Sequence, residues 1–443
     1  MKASHEDRKK SSEDSPNSKH SSMLSLRTLV TASAVLAYIS VKHVKGQSRP
    51  DISAALETIP QAVFIDRLSF NVMGENATFR TNALDNNTLF NPTSTSPPFF
   101  QVFDESFLTV LGGNASIHEI ARNDTFAFAH EAPIYDPATD EIFFASNDGG
   151  ALGMSDLDHN NVISKISLAA VESALAGNAS VVNVPFTTLD LPETIQMDEH
   201  IYQMTNGGTG PFNSSLVLIT SGRGPRPPSI ALVNPLPPNN VTVLLDNFLG
   251  RQFNSLNDIK IHPSGKFFFT DVTYGFLNAF RPEPLMPNQV YRFDPQTGSV
   301  RVVADGFDKC NGIAFTQDGN TAYISDTGVV SGRFGNNQTE PATIYAFDVD
   351  PQTHAFKNRR VFAYVDAGIP DGVQVDTDGN VYSGTADGVQ VWNPSGDLIG
   401  KFFIGTTSAN MVFAGDGRLV ILGETAVYLA KIAAKGFPLG GQS

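Results

Sequence analysis

A short unit recurs along this chain with the same internal spacing. In three copies an amide or carboxyl side chain, at Asn257, Asn311 and Asp371, stands directly before a short apolar run, and a Ser-Gly or Asp-Gly dipeptide follows seven residues later. Such dipeptides between β-rich runs are typical of tight hairpins, so each unit predicts a strand, a hairpin and a second strand. A looser copy begins at Asn410, and an early one begins at Glu131.

The distances between the units predict how they are arranged. Asn257, Asn311 and Asp371 follow one another at intervals of 54 and 60 residues, and 126 residues separate the early unit from Asn257. The longer gap leaves room for one further unit, whose strand we place at residues 214–220; with the copy at Asn410 this makes six. Repeats of this length are typical of β-propeller blades, so the sequence predicts an all-β, six-bladed β-propeller. A pair of β-sandwiches is less favoured, because it does not explain the repeated offset.

Both ends of the chain are expected to contribute to the ring. The last unit is short of an outer strand, and we expect residues 99–103 to supply it, because a closed ring leaves no open sheet edge. Residues 98–436 are therefore assigned to the propeller and residues 47–97 to an extension packed outside it. Helical periodicity is scarce, and the best candidate is a short helix near residues 168–176.

The first 46 residues predict export. Residues 1–22 are polar and are expected to be a disordered leader. Residues 23–46 contain an apolar stretch after Arg27 that falls short of the ~18 residues a membrane span needs, which favours a cleaved signal peptide over an uncleaved signal anchor. Glycosylation sequons support a secreted or secretory-pathway glycoprotein; they occur at Asn76, Asn86, Asn114, Asn123, Asn178, Asn213, Asn240 and Asn337. A membrane is a partner only if the anchor is retained.

Charge and cysteine content narrow the function classes. The formal net charge is −15, which argues against nucleic-acid binding and suits a cation site and neutral or cationic small ligands. Cys310 is the single cysteine, so the chain forms no internal disulfide bond. We do not expect this thiol to act as a nucleophile.

The side chains that open the units are candidates for a metal site. In a radially repeated fold, Glu131, Asn257, Asn311 and Asp371 would meet on one axis. Two carboxylates and two amide oxygens are hard donors that match Ca²⁺, with Mn²⁺, Fe²⁺ and Zn²⁺ as alternatives. Four protein ligands are fewer than Ca²⁺ takes, so water or substrate would fill the open positions. Asn-Gly and Asp-Gly pairs are usually turns, but here each unit already has its own turn.

Three stretches resemble the gluconolactonase and regucalcin family, which also contains the senescence-marker protein and luciferin-regenerating-enzyme-like proteins. They are residues 257–271 (NDIKIHPSGKFFFTD), 310–319 (CNGIAFTQDG) and 370–379 (PDGVQVDTDG), and the resemblance covers about residues 98–432. Residues 130–135 (HEAPIY) and the N-terminal extension are similar to the fungal lactonohydrolases. Two positions depart from the family pattern. Cys310 stands where most members have proline, and Ser255 stands where regucalcin-type members have arginine, which bears on specificity for sugar acids.

The resemblance implies a propeller with an axial divalent metal, usually calcium. It places the metal ligands at Glu131, Asn311 and Asp371, with Asn257 close to both metal and substrate. The implied reaction is hydrolysis of a small lactone of the aldonolactone or pantoyl-lactone type, with Ca²⁺ polarising the carbonyl for attack by water. Asp371 is the first choice to orient or deprotonate that water.

The remaining roles follow from position. His130, next to Glu131, is the alternative base, although a histidine there also fits a neutral packing role. Asn410 is expected to line the pocket and bind substrate. Two other functions stay open: a paraoxonase-like esterase or strictosidine-synthase-like propeller, and a non-catalytic propeller that Ca²⁺ stabilises and that binds a partner through one face.

Overall fold

The structure is a computed structural model that describes residues 52–439, except residues 76–77, 82, 84–88, 150, 178–181, 190–203 and 416. The predicted leader (1–22) and the predicted signal segment (23–46) lie outside the described residues, as do the sequons at Asn76, Asn86 and Asn178.

The described chain consists mainly of strands. In chain order they are β1 Ala62–Phe64, β2 Phe99–Val102, β3 Ser116–Arg122, β4 Glu131–Asp136, β5 Glu141–Ala145, β6 Ile163–Ser167, β7 Thr187–Thr188, β8 Thr205–Phe212, β9 Ser215–Thr220, β10 Ile230–Val233, β11 Val241–Leu245, β12 Asn247–Phe248, β13 Arg251–Gln252, β14 Leu256–Ile261, β15 Phe267–Asp271, β16 Gln289–Phe293, β17 Val300–Ala304, β18 Cys310–Phe315, β19 Thr321–Asp326, β20 Thr343–Val349, β21 Phe356–Tyr364, β22 Val373–Val375, β23 Val381–Thr385, β24 Gly388–Trp392, β25 Leu398–Phe403, β26 Asn410–Phe413, β27 Arg418–Leu422 and β28 Ala426–Lys431. The helices are α1 Ile52–Glu57, α2 Phe107–Leu111, α3 Leu168–Ala176, α4 Tyr274–Leu277 and the 3₁₀ turns Arg67–Ser69 and Gly332–Phe334.

These strands form the six predicted blades. Blade 1 is β4 to β7, blade 2 is β8 to β11, blade 3 is β14 to β17, blade 4 is β18 to β21 and blade 5 is β22 to β25. Blade 6 combines β26 to β28 with β3 from the N-terminal part of the chain. The innermost strand of each blade contacts the innermost strands of both neighbours, and β26 contacts β4, so the ring is closed. The prediction of an all-β, six-bladed β-propeller is confirmed.

The predicted hairpin turns lie between the first and second strands of their blades. Gly265, Gly319 and Gly379 have φ angles of +75°, +72° and +83° there. Glycine adopts this left-handed conformation without the steric cost that a Cβ would impose. The turn glycines therefore fix the register with which each innermost strand pairs with its neighbour.

The cores lie between the blades. Ile259 and Ile261 of blade 3 are fully buried and share one apolar cluster with Val217 and Ile219 of blade 2. The other blade pairs enclose similar clusters of aliphatic and aromatic side chains. Because each cluster is shared by two neighbours, a blade cannot bury its apolar surface alone, and the ring stabilises its members together.

The strand that completes blade 6 is not the predicted one. The fourth strand beside β28 is β3, whereas β2, within the predicted 99–103 segment, pairs with β25 on the outer side of blade 5. Strand β1 of the N-terminal extension then pairs in parallel with β2. All four residues of β2 are buried, as expected for a strand with a neighbour on each side. The prediction that residues 99–103 supply the missing strand of the last unit was therefore wrong.

The second unit also differs from its prediction. Residues 215–220 form β9, the second strand of blade 2, and the innermost strand is β8. Strand β8 reads Thr-Asn-Gly-Gly-Thr-Gly-Pro-Phe, and Gly and Pro are depleted in ordinary strands. Gly208 is required because a Cβ there would lie 2.9 Å from Ala132 Cβ of blade 1. Because the strands pack closely at the axis, β8 contains glycine where other strands carry larger side chains. The sequence pattern by which strands are recognised is therefore absent here.

Candidate functional site

The residues that open the innermost strands lie at one end of the axis. Glu131 and Asn410 are the first residues of β4 and β26, Asn257 and Asn311 are the second residues of β14 and β18, and Asp371 lies two residues before β22. All are buried except Asp371, which is half-buried. The structure therefore brings together all five predicted metal-binding and substrate-binding positions from five different blades.

We call these five side chains the ring, as distinct from the closed circle of blades. Direct contacts connect neighbouring members of the ring. Asn410 Nδ2 donates a hydrogen bond of 2.7 Å to Glu131 Oε2. The side chain of Asn311 hydrogen-bonds to Asp371. Burial raises the pKa of Glu131 well above its usual range, and the nearby charge of Asp371 raises it further. Burial likewise raises the pKa of Asp371 to about 7, against the opposing effect of His130. The two carboxyl groups thus share a site that favours their neutral forms until a cation is present.

Glycines that follow the ring residues allow the strands to approach. A Cβ at Gly312 would lie 2.3 Å from Asp371 O, and one at Gly207 would lie 2.5 Å from Asn257 O. A Cβ at Gly372 would lie 2.2 Å from Asn410 Cγ. Asn311-Gly312 is part of a strand, and Asp371-Gly372 leads directly into one, so neither pair forms the hairpin turn of its unit. Their glycines serve the close packing of neighbouring blades around the axis.

Two buried carboxylates hold, by hydrogen bonds, the main-chain segments that precede Asn257 and Asn311. Asp326, at the end of β19, accepts main-chain hydrogen bonds from Lys309 N at 2.8 Å and Asp308 N at 3.0 Å. Asp271, at the end of β15, accepts them from Ser255 N at 2.8 Å and Asn254 N at 3.1 Å. The same arrangement in blades 3 and 4 fixes the main chain immediately before Asn257 and Asn311.

One ring residue was not found from the sequence. Asn206 is the second residue of β8 and occupies in blade 2 the position that Asn257 and Asn311 occupy in theirs. Its Nδ2 donates to Asp148 Oδ2 at 3.1 Å, and Ser221 Oγ donates to the same oxygen at 2.9 Å. The Asn-Gly pair at 206–207 was the available signal, but it lay in a segment that did not read as a strand.

His130 is held beside the ring by a hydrogen-bonded group. Its Nδ1 lies 2.7 Å from Glu424 Oε1, and Asn147 Nδ2 donates to Glu424 Oε2 at 3.2 Å. Burial lowers the pKa of His130, but the carboxylates of Glu424, Glu131 and Asp371 together outweigh it, and the pKa rises to about 10. Asn410 is also fully engaged, because its Oδ1 accepts a hydrogen bond of 2.8 Å from Met411 N.

The ring fits a hard divalent cation. The amide oxygens of Asn206, Asn257 and Asn311 are buried and have no hydrogen-bond partner among the described residues. Such atoms are costly unless something binds them, and amide oxygens are ligands that Ca²⁺ accepts. In the part of the chain that the structure describes, no group of three or more His, Cys, Asp or Glu side chains is arranged to hold a metal ion. The fit therefore rests on two carboxylates combined with amide oxygens.

Cys310 precedes Asn311 but faces away from this chemistry. Its Sγ lies 3.5 Å from Asp271 O and 3.5 Å from Gln289 O, and burial raises the pKa of the thiol well above its usual range. A neutral buried thiol is inert, in agreement with the sequence-based expectation.

Comparison with known proteins identifies the family. The family model described as the SMP-30/Gluconolactonase/LRE-like region matches residues 131–422, well over half of the chain. The chain belongs to this family. The match begins at Glu131 itself and includes every ring position from blade 1 to blade 6. The resemblance inferred from the sequence is thereby confirmed.

Several relatives in the SMP-30/gluconolactonase family are similar over most of their length. The lactonohydrolase oryL of Aspergillus oryzae is 27% identical over 412 residues, which are 87% of this chain and 88% of oryL. The solved structure of XC5397 from Xanthomonas campestris, described as a gluconolactonase, has a TM-score of 0.57 and 22% identity, covering 77% of this chain and 99% of that one. A calcium-binding regucalcin from Agrobacterium tumefaciens has a TM-score of 0.51 and 16% identity, covering 73% and 96%. The two structures support the fold.

Proposed function

We propose that this protein is a metal-dependent lactonase that hydrolyses the ester bond of small lactones. The observation that carries the proposal is the set of three buried, unpartnered amide oxygens beside the carboxyl groups of Glu131 and Asp371. The set lies within the span that matches the family. A relative that matches 87% of this chain is named lactonohydrolase, and two that match 36% of it are named gluconolactonase and pentonolactonase. The chain is a hydrolase acting on carboxylic ester bonds.

The proposed metal ligands are Glu131, Asn257, Asn311 and Asp371, with Asn206 as an additional oxygen donor. An all-oxygen set favours Ca²⁺ over softer metals. When bound, such an ion supplies a Lewis acid for the lactone carbonyl. Asp148 holds the amide nitrogen of Asn206, which leaves the amide oxygen of Asn206 free to bind.

The chain's own residues orient the reacting groups. Asp371 is proposed to orient or deprotonate the attacking water, with Asn311 fixing its carboxyl group from the neighbouring blade. His130 is the alternative, but its Nδ1 hydrogen-bonds to Glu424 Oε1 and its pKa of about 10 keeps the imidazole protonated near neutral pH, so it could accept a proton only after losing that one. Asn410 was predicted to bind substrate; its contacts with Glu131 and Met411 instead support a role in orienting Glu131.

Ser255 supports a preference for lactones without an acidic group. This residue stands where regucalcin-type relatives were expected to have arginine. It is buried, and its Oγ accepts a hydrogen bond of 3.0 Å from Gly275 N. A guanidinium group for binding a sugar acid is therefore missing at this position, and aldonolactones and pantoyl lactone are the substrates to test first.

We also propose that the protein is exported and glycosylated. The sequons at Asn114, Asn213, Asn240 and Asn337 are exposed, so their side chains are accessible for modification. No helix in the described residues is long and apolar enough to cross a membrane. N-terminal sequencing of protein from the culture medium, with its mass before and after endoglycosidase treatment, would test this; cell-retained, unmodified protein would contradict it.

The function is tested by pH-stat hydrolysis of a panel of lactones. The protein is assayed after EDTA treatment and again after Ca²⁺ is restored, together with the isosteric variant Asp371→Asn and the exposed-site control Asn337→Ala. Activity that is lost with EDTA, returns with Ca²⁺ and is absent only in Asp371→Asn would support the proposal. A protein that Ca²⁺ stabilises but that hydrolyses no lactone would favour the partner-binding alternative.

A further inference from the structure

A second cavity lies on the propeller axis, away from the ring. It has a volume of about 290 Å³ and is lined by later residues of the innermost strands, such as Ile134, Lys260, Phe315 and Val375, and by the C-terminal segment 436–439. None of the proposed metal ligands lines it. Because the ring residues open these strands and the lining residues follow two or more positions later, the two sites occupy successive levels of one axis. We call this space the lower axial cavity.

Lys260 brings an ammonium group into the lower axial cavity. The residue is 4% exposed, and its Nζ forms an ion pair of 4.0 Å with Asp258 Oδ1, a distance too long for a hydrogen bond. The oxygens of Asp258 are already bonded, to Ile259 N at 2.8 Å and Ile313 N at 3.0 Å. Among the described residues nothing accepts a hydrogen bond from the Lys260 ammonium, so its N–H donors remain to be satisfied.

A second polar group in the lower axial cavity has no partner. Thr209 of blade 2 is 3% exposed, and its Oγ1 is buried with no hydrogen bond to any part of the chain that the structure describes. The hydroxyl can donate one hydrogen bond, so the cavity presents two unsatisfied donor groups from two blades. Buried polar groups are nearly always bonded to protein, water or ligand, so these groups favour an acceptor in this space.

Most of the remaining cavity wall is apolar; the polar exceptions are Gln374, which donates to Met411 O, and Tyr135, which donates to Asp140. Ile134, Phe315, Val375 and Phe413 form its sides. Phe437 and Leu439 of the C-terminal segment line it as well, and each packs against an apolar cluster of the propeller. An apolar chamber with a few convergent polar groups is the usual character of a small-molecule site.

We propose that the lower axial cavity binds a small monocarboxylate with an aliphatic body. The carboxylate would accept hydrogen bonds from the Lys260 ammonium and the Thr209 hydroxyl, and the aliphatic chain would lie against Ile134 and Phe413. An anion is favoured over a neutral ligand because the unsatisfied groups are donors, one of them charged, and a carboxylate offers about four acceptor sites. Water alone would satisfy the donors but would leave the apolar walls unused.

The test is a calorimetric titration of the full chain in EDTA, which removes metal from the ring. Hexanoate and hexanol are titrated into the wild-type protein and into Lys260→Gln and Thr209→Val. We expect hexanoate binding to saturate, and we expect hexanol to bind at least about tenfold more weakly. Lys260→Gln should lose affinity for hexanoate by a similar factor, equivalent to about 1.4 kcal/mol. Asp371→Asn, which alters only the ring, should bind hexanoate like the wild type.

The comparison of hexanoate with hexanol needs no variant, so it decides the matter even if Lys260→Gln fails to fold. Hexanoate heats that do not saturate would mean that water alone fills the cavity and would overturn the proposal. Equal affinity for hexanol, or full hexanoate affinity in both cavity variants, would also overturn it. None of these results depends on lactone hydrolysis, so the outcome is independent of the proposed function.

Discussion

Asn410 binds Glu131 across the seam where the last blade meets the first. Its Nδ2 donates a hydrogen bond of 2.7 Å to Glu131 Oε2, and its own Oδ1 accepts a hydrogen bond from Met411 N. The amide is therefore oriented from one side and orients the carboxylate on the other. A residue that directs a proposed metal ligand in this way would affect metal binding without touching the ion.

Replacing Asn410 with alanine should weaken Ca²⁺ binding by about 10- to 100-fold, because Glu131 loses the bond that orients it. Asn410→Asp keeps the size of the side chain but places a second carboxylate beside Glu131, and we expect repulsion to alter binding further. Calcium titration of both variants measures the effect, with Asn337→Ala as the control at an exposed position. Unchanged calcium affinity in Asn410→Ala would contradict the orienting role.

How much of the molecule could be predicted varied with the local chemistry. The hairpin glycines Gly265, Gly319 and Gly379 adopt left-handed conformations that few other residues tolerate, so the turns are visible in the sequence. The fixed offset from those turns then predicted Asn257 and Asn311 at equivalent places in blades 3 and 4. These positions could be predicted because each depends only on residues within one hairpin.

The predictions that were wrong or missing concern places where packing between distant segments of the chain decides the structure. Strand β8 carries glycine and proline because the axis is crowded, and this concealed Asn206. The choice between β2 and β3 as the closing strand depends on pairing with β25 and β28, which lie some 300 residues away in sequence. The alternation of apolar and polar residues indicates which face of a strand is buried, but it does not indicate with which neighbouring strand the segment pairs.

Asn206 is expected to contribute to the metal site although the sequence did not indicate it. Asn206→Ala removes a buried amide oxygen from the ring and should lower Ca²⁺ affinity about tenfold, comparable to the net value of one interaction with a charged group. Calcium affinity and the kinetic constants for lactone should be measured together. If Asn206 binds substrate instead, KM would rise while calcium affinity stays unchanged. Ser221→Ala, which leaves the bond from Asn206 to Asp148, is the matched control for a general disturbance of blade 2.

Gly312 should not tolerate a side chain, because of the neighbouring blade. A Cβ at this position would lie 2.3 Å from Asp371 O, so Gly312→Ala must displace the main chain that carries Asp371. We expect a loss of more than about 2 kcal/mol in the free energy of unfolding, together with loss of activity. Gly265→Ala is the control: its φ of +75° is unfavourable for alanine, but nothing lies near its Cβ, and about 1 kcal/mol is expected. Equal losses in urea unfolding would show that approach between blades is not the cause.

Removal of metal should make the stability of the protein depend on pH through Asp371. Burial raises the pKa of its carboxyl group from 3.8 to about 7 in the folded metal-free protein. Between these values the folded chain holds a proton that the unfolded chain has lost, so stability falls as pH rises from about 4 to 7 and then levels off. The raised pKa of Glu131 acts in the same direction.

Melting in EDTA from pH 5 to pH 8 measures this dependence, with Asp371→Asn as the variant that cannot ionise. We expect the wild type to lose at least about 3 °C more than Asp371→Asn over this range. Saturating Ca²⁺ should reverse the trend, because the ion binds the deprotonated carboxylates and its apparent affinity rises with pH. The same pH trend in wild type and Asp371→Asn would show that Asp371 is not the group responsible. A Ca²⁺ effect that does not vary with pH would place the bound ion away from Glu131 and Asp371, since binding there must release their protons.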